Sequence, residues 1–280
     1  MKNLVTRAAT GIIYVVLLVG CTLYGPLTSY FFFSIVCAAA LWEFGTVVNK
    51  HAGAQVNRPM NALAGFLLVS ATWLYCIGYE QSGKVFGMYG ILLLYIIVTE
   101  LYRNNENPLK DWAYSFASQI YVALPFALIS FISIFYDAAA GKIAYMWIYP
   151  LALFIFLWTS DTGAYLFGCS LSRYIPYKLF PRISPNKSWV GSCGGALLAV
   201  IAACIIAHFF DNLTLLQWIG FALVVVVMGT WGDLVESMLK RQVGIKDSGN
   251  ILPGHGGLLD RFDSFLLSCP AIAIYLYFIG

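Results

Sequence analysis

Charge is scarce in this chain. Charged residues make up 10% of its 280 positions, with 13 Asp and Glu against 16 Lys and Arg, whereas an ordinary soluble domain carries about 25%. No polar stretch is long enough for a separate soluble domain. The seven cysteines, at positions 21, 37, 76, 169, 193, 204 and 269, form no CxxC pair, so nothing demands a redox role and they read as small apolar filler. His51 and His208 are isolated and incidental. No fixed-period repeat or low-complexity tract occurs, which weighs against a transporter built from inverted repeats. What is abundant is hydrophobic residues, at 60%, with a mean hydropathy of +0.78. These are the marks of an integral membrane protein.

A spanning helix needs about 20 apolar residues. Apolar runs between polar breaks predict nine spans, near 8–23, 28–48, 60–79, 85–101, 113–135, 146–168, 190–209, 215–233 and 259–279. Their length and uniform apolarity exclude the alternating strands of a barrel, and an exposed backbone in lipid must satisfy its own hydrogen bonds. The expected fold class is therefore an all-α polytopic membrane protein. Spans 1–5 (residues 1–145) and a C-terminal catalytic region (146–280) are expected to form one integrated unit. Residues 1–21 end in LVGC, like a lipoprotein cleavage box, but more membrane follows, so the first span is expected to stay attached.

Orientation follows from the cations. Lys2 and Arg7; Lys50 and Arg58; Arg103 and Lys110; Arg173, Lys178, Arg182 and Lys187; and Lys240, Arg241 and Lys246 all fall in alternate connections on one side. Only Lys84 and Lys142 lie opposite, and Arg261 stands at the mouth of span 9. Basic loops stay inside, which predicts a cytoplasmic N-terminus and an external C-terminus.

An ionisable residue at membrane depth is a functional candidate by default. This topology places Asp161, Asp233 and Glu236, and Asp260 and Asp263, from three separate spans, at one level near the cytoplasmic face. Asp233 and Glu236 are three apart, as are Asp260 and Asp263, so each pair shares a helix face, and Asp233 also aligns with Ser237 and Lys240. Carboxylates crowded in a low-dielectric site repel unless a cation lies between them, and hard oxygen donors suit Mg²⁺. Taken singly, each acid reads equally well as a helix-end charge or a partner for a nearby lysine.

Lys240, Arg241, Lys246 and Arg261 supply more positive charge than metal-binding acids need, and they look arranged for phosphate. The run PGHGG (253–257), with His255, Gly256 and Gly257, adds backbone freedom and leads into span 9, whose free N-terminal amides are expected to favour anions. A second cluster, PRISPNKSWVGS (181–192), offers Ser184, Lys187 and Ser188 at a helix start for phosphate or a lipid headgroup. An ordinary positive-inside anchor explains that cluster equally well.

The pattern S-x-L-K-R-x4-K-D-S-x3-L-P-x-H-G-G-x-L-D-R-x-D, from Ser237 through Lys246, Asp247 and the glycine loop to Asp263, resembles the signature of phosphatidate cytidylyltransferases, also called CDP-diacylglycerol synthases. D-x-G-A-Y at Asp161–Tyr165, S-P-x-K-S-W at Ser184–Trp189 and G-D-L-x-E-S at Gly232–Ser237 extend the resemblance. The middle motif departs from the usual SPKKTWEG at Asn186, Ser188 and Val190. The resemblance implies that CTP and phosphatidic acid give CDP-diacylglycerol and pyrophosphate, in bacterial phospholipid biosynthesis. It also implies Mg²⁺, with room for a second cation, a homodimer in the inner membrane, no nucleic-acid partner, and a site open to the cytoplasm.

On that reading Asp233, Asp260 and Asp263, with Glu236 and Asp161 as further candidates, hold the metal. Lys240, Arg241, Lys246 and Arg261 clamp the triphosphate. Ser184, Lys187 and Ser188 meet the lipid phosphate or CTP, Ser237 and Asp247 sit among them, and His255 either donates to pyrophosphate or pins its loop. A transporter would instead carry its charges near the midplane, a scaffold would not need DRFD beside HGG, and the DGxxAR signature of CDP-alcohol transferases is absent.

Overall fold

The computed structural model describes residues 2–137, 141–171, 173–251, 254 and 256–279, and only the backbone of residues 2–8. Among the described residues the chain is a series of long helices: α1 (Lys2–Tyr24), α2 (Pro26–His51), α3 (Arg58–Cys76), α4 (Ser82–Thr99), α5 (Pro108–Ser118), α6 (Leu124–Ser133), α7 (Ile148–Leu171), α8 (Trp189–Phe209), α9 (Leu215–Gln242) and α10 (Leu259–Ile279). A π-helical turn, Gln119–Ala123, joins α5 to α6 into one segment. Eight segments are long and apolar enough to cross a membrane, and Ala9–Tyr24 is a shorter apolar helix. Each of the nine predicted spans coincides with a helical segment. α10 has the predicted bounds, whereas α9 runs on past its apolar portion to Gln242, which keeps Asp233, Glu236, Ser237 and Lys240 on helix.

The ends of these helices are written locally. Asn57 and Asn107 cap α3 and α5, accepting from the amides of Met60 (3.2 Å) and Lys110 (3.1 Å), each with a proline in the first turn. Ser188 caps α8 by accepting from Gly191 N at 3.2 Å. Such side chains satisfy amides that the helix itself leaves without a partner. The π-helical turn lies just before Pro125, whose missing N–H interrupts the regular ladder.

Two short antiparallel hairpins were not anticipated. β1 (Ile134–Asp137) pairs with β2 (Lys142–Tyr145), and β3 (Lys178–Phe180) with β4 (Ser184–Ser188). The segment Ser184–Ser188 is thus a strand ending in a helix cap, not the beginning of a helix.

Two compact units are formed, Met1–Trp147 with Val243–Phe262, and Ile148–Gln242 with Asp263–Gly280. In the first, Leu18, Phe33, Leu41 and Phe126 are fully buried. Phe262 joins them, packing on Tyr14 and Phe126 at centroid distances of 5.7 and 5.3 Å. A buried polar network, Asn61 with Ser115, Ser118 and Gln119, satisfies hydrogen bonds that apolar surroundings would otherwise leave open. In the second unit Trp218 stacks on Phe221 at 5.8 Å, and Phe154 on Phe265 at 5.4 Å.

Glycine sets how closely the helices of the second unit approach. A Cβ on Gly163 of α7 would stand 2.6 Å from the carbonyl oxygen of Gly194 on α8, and one on Gly195 would stand 2.7 Å from that of Ser160. Backbones meeting backbones cannot yield as a side chain can, so α7 and α8 require small residues here. Gly163→Ala is expected to destabilise by about 2 kcal/mol, the scale of an overpacked core, lowering the thermal midpoint in detergent. Gly87→Ala, where a Cβ meets nothing within 4 Å, is the control, and equal midpoints for both would refute the close approach.

Candidate functional site

In the second unit the polar residues gather on one face of α9. Asp233, Glu236, Ser237 and Lys240 are spaced three and four apart and therefore stack along the helix. Ser237 donates to Asp233 Oδ1 at 3.2 Å, and Lys240 Nζ lies 3.1 Å from Glu236 Oε2. Lys187, carried in by β4, closes on Asp233 Oδ2 at 2.6 Å and on the carbonyl of Thr230 at 3.4 Å.

The segment of α10 at Asp263 and Ser264 comes close to this helix because Gly232 leaves room. A Cβ there would meet the carbonyl oxygen of Asp263 at 2.5 Å and Cα of Ser264 at 3.1 Å. Asp263 accordingly sits beside Glu236 and within electrostatic reach of Asp233 and Asp161, while its Oδ1 accepts from Ser264 N at 2.6 Å. A cavity of about 210 Å³ opens alongside, and its polar lining includes Asp161, Asn186, Lys187, Ser188, Thr230 and Asp233. Four carboxylates, two lysines and a helix cap therefore share one region of an otherwise apolar bundle.

The first unit contains the loop before α10. Lys246 and Asp247 are exposed, and Ser248 behind them is buried. Asp260 Oδ2 accepts from the amides of Ser248 (2.9 Å) and Gly257 (2.8 Å). Glu43 of α2, only 3% exposed, accepts from Ser248 Oγ (2.5 Å), Leu258 N (2.9 Å) and Leu259 N (3.0 Å). This corrects the expectation of free amides at the start of α10. Those of Gly257, Leu258 and Leu259 are already taken by carboxylates. Gly256, at a φ of 84°, has the left-handed conformation that glycine supplies. His255 and Pro253 lie outside the described residues.

The other expected site residues are distributed as follows. Ser184 begins β4 opposite Phe180, and Arg241 is exposed near the end of α9, as is Arg261 in the first turn of α10. A second cavity, of about 530 Å³, lies between the last turn of α2 and the loop, lined by Thr46, Lys50, His51, Lys246 and Asp247 among others. The sequence reading missed Glu43, although the rule that singled out Asp161 applies equally to an acid inside span 2. Asn186, inside the singled-out run 181–192 but not chosen from it, and Thr230, which no motif marks, also line the first cavity.

The chemistry of the donor set fits a hard divalent cation. Asp161, Asp233, Glu236 and Asp263 offer only carboxylate oxygens, and Lys187 and Lys240 place positive charge on two of them. Among the described residues no three His, Cys, Asp or Glu side chains stand together at ligating geometry. Mg²⁺ is commonly held by one or two carboxylates together with water and substrate phosphates.

The sequence profile of the cytidylyltransferase family matches residues 5–279. A phosphatidate cytidylyltransferase of Staphylococcus aureus (strain COL) is 33% identical over 277 residues, covering 96% of this chain and 98% of that protein. Proteins of the same name from Staphylococcus haemolyticus (strain JCSC1435), over 277 residues, and Staphylococcus epidermidis (strain ATCC 12228 / FDA PCI 1200), over 279 residues, are also 33% identical with the same coverage.

The Lys187–Asp233 pair is open to a double-mutant cycle. Lys187→Met and Asp233→Asn are each expected to lower the thermal midpoint in detergent, and the double variant to lose less than their sum by about 1 kcal/mol. Strict additivity would mean that the two side chains do not interact.

Proposed function

The chain belongs to the cytidylyltransferase family, and on that basis we propose that it is a phosphatidate cytidylyltransferase of the bacterial inner membrane. In this reading it converts CTP and phosphatidic acid to CDP-diacylglycerol and pyrophosphate. The observation that carries the proposal is the gathering of Asp161, Asp233, Glu236 and Asp263 around Lys187 and Lys240 inside a membrane bundle. Charge so placed is expensive, and it suits a reaction whose barrier is repulsion among phosphates.

An oxygen of the lipid phosphate forms a bond to the α phosphorus of CTP, and the bond from that phosphorus to the bridging oxygen of the β phosphate breaks in line, releasing pyrophosphate. A phosphate monoester, with a second pKa of about 6, is mostly dianionic near neutral pH, so no strong general base is needed. Lys187 exchanges Asp233 for a phosphate oxygen, and Ser188, already holding the start of α8, keeps β4 in place beside it. The family resemblance implies that Lys240, Arg241, Lys246 and Arg261 balance the triphosphate, the arginines offering bidentate contacts. Asp233, Asp263, Glu236 and Asp161 would hold Mg²⁺, which supplies charge neutralisation at the leaving oxygens when bound; Asp260, expected among these ligands, is left out of the set because its Oδ2 accepts from the amides of Ser248 and Gly257.

Acyl chains stay in the bilayer while the nucleotide arrives from water, which explains why such a site is built where apolar helices end. The cation distribution supports a cytoplasmic opening, and a homodimer remains the expected assembly.

Purified protein with labelled CTP and phosphatidic acid is expected to form CDP-diacylglycerol only with a divalent cation, EDTA abolishing and Mg²⁺ restoring it. Asp233→Asn and Asp263→Asn are each expected to lower kcat by about 100-fold or more, the scale of losing a principal electrostatic group. Robust turnover by both variants would remove the acids from the chemistry, and an inactive parent protein in both detergent and lipid would remove the function. For orientation, alkaline phosphatase fused after Gly280 is expected to be active and fused after Lys246 inactive; the reverse pattern would invert the topology.

A further inference from the structure

Glu43 occupies an unusual position for a carboxylate. It lies buried on α2, and Ser248, Leu258 and Leu259, which donate to it, all come from the loop before α10 or from the beginning of that helix. Ser248 links it to Asp260: its hydroxyl donates to Glu43 and its amide to Asp260. Gly257 donates to Asp260, and Leu258 and Leu259 donate to Glu43. Two carboxylates thus clasp the neck of the loop, with Ser248 on one side and Gly257–Leu259 on the other.

The packing is close enough to restrict the sequence. A Cβ on Gly249 would stand 2.7 Å from Glu43 Oε2, and one on Gly257 would collide with both Ser248 Oγ and Glu43 Oε1. The face of α2 that carries Glu43 continues through Thr46 and Lys50, at helical spacing. Those two line the cavity of about 530 Å³ together with Lys246 and Asp247. Glu43 therefore sits where one carboxylate can set the distance between the two walls of that cavity.

We infer that Glu43 is a positioning residue for nucleotide binding. It touches no substrate, and acts by fixing Ser248 and the first amides of α10, so that Lys246 is presented across the cavity from Lys50 to the triphosphate. This rests on the proposed use of CTP. The loop clasp itself does not.

The test uses full-length protein in detergent or lipid. Glu43→Gln keeps the shape but replaces one acceptor oxygen with a donor that faces backbone N–H groups, Glu43→Ala removes all three bonds, and Ser248→Ala removes one. For Glu43→Gln the KM for CTP is expected to rise by about tenfold or more, the scale of losing hydrogen bonds to a charged group. The KM for phosphatidic acid should be unchanged, and kcat should fall less than the CTP KM rises. Ser248→Ala should shift the CTP KM in the same direction by less. Tryptic cleavage after Lys246, followed by mass spectrometry and needing no activity, is expected to accelerate in the same order. Unchanged cleavage in Glu43→Gln and Ser248→Ala would refute the clasp. Faster cleavage with an unchanged CTP KM would make Glu43 structural only and overturn the inference. A parent protein that makes no CDP-diacylglycerol would defeat the proposed function and the nucleotide part of the inference, while the cleavage result would still decide the clasp.

Discussion

A carboxylate among apolar helices must be answered by donors or cations, because apolar surroundings leave an ion without the hydration it has in water. That requirement organises both units of this protein. Glu43 is answered by two backbone amides and a hydroxyl, Asp260 by two backbone amides, Asp233 by Lys187 and Ser237, and Glu236 by Lys240. The first two are answered mainly by main-chain N–H groups, which hold a backbone in one shape. The last two are answered by ammonium groups on flexible stems, which fix a backbone less firmly.

The two kinds of partner separate the two units. Carboxylates bonded to amides stabilise the loop before α10 in the conformation that its glycines permit. Carboxylates bonded to lysines line or adjoin the cavity of the second unit. The hairpin of β3 and β4 serves the second group, since it delivers Lys187 and then hands Ser188 to α8 as a cap. Close glycine contacts complete the arrangement: Gly163 and Gly195 bring α7 against α8, and Gly232 brings α9 against the segment that carries Asp263.

Much of the site is legible in the amino-acid sequence. The i, i+3, i+4 spacing of Asp233, Glu236, Ser237 and Lys240 requires only that this segment be helical, and α9 is helical through Gln242. The resemblance of Ser237–Asp263 to a known signature agrees with a family match across residues 5–279. Glu43 escapes such a reading because no motif surrounds it, and its partners lie more than 200 positions away in the chain. The free amides expected before α10 were an error of the same kind, since a helix N-terminus shows in sequence that it needs acceptors but not which acceptors fill it.

The number and place of the spanning helices are encoded locally, because hydropathy over about 20 residues and caps such as Asn57, Asn107 and Ser188 act within a few turns of chain. Which acids share a helix face is encoded in the same way, through helical spacing alone. That Lys187 meets Asp233, that Glu43 holds Ser248 and Leu258, and that Gly232 admits the backbone at Asp263 emerges only once the helices pack. Those contacts depend on distances between segments remote in sequence, and no local pattern carries such distances.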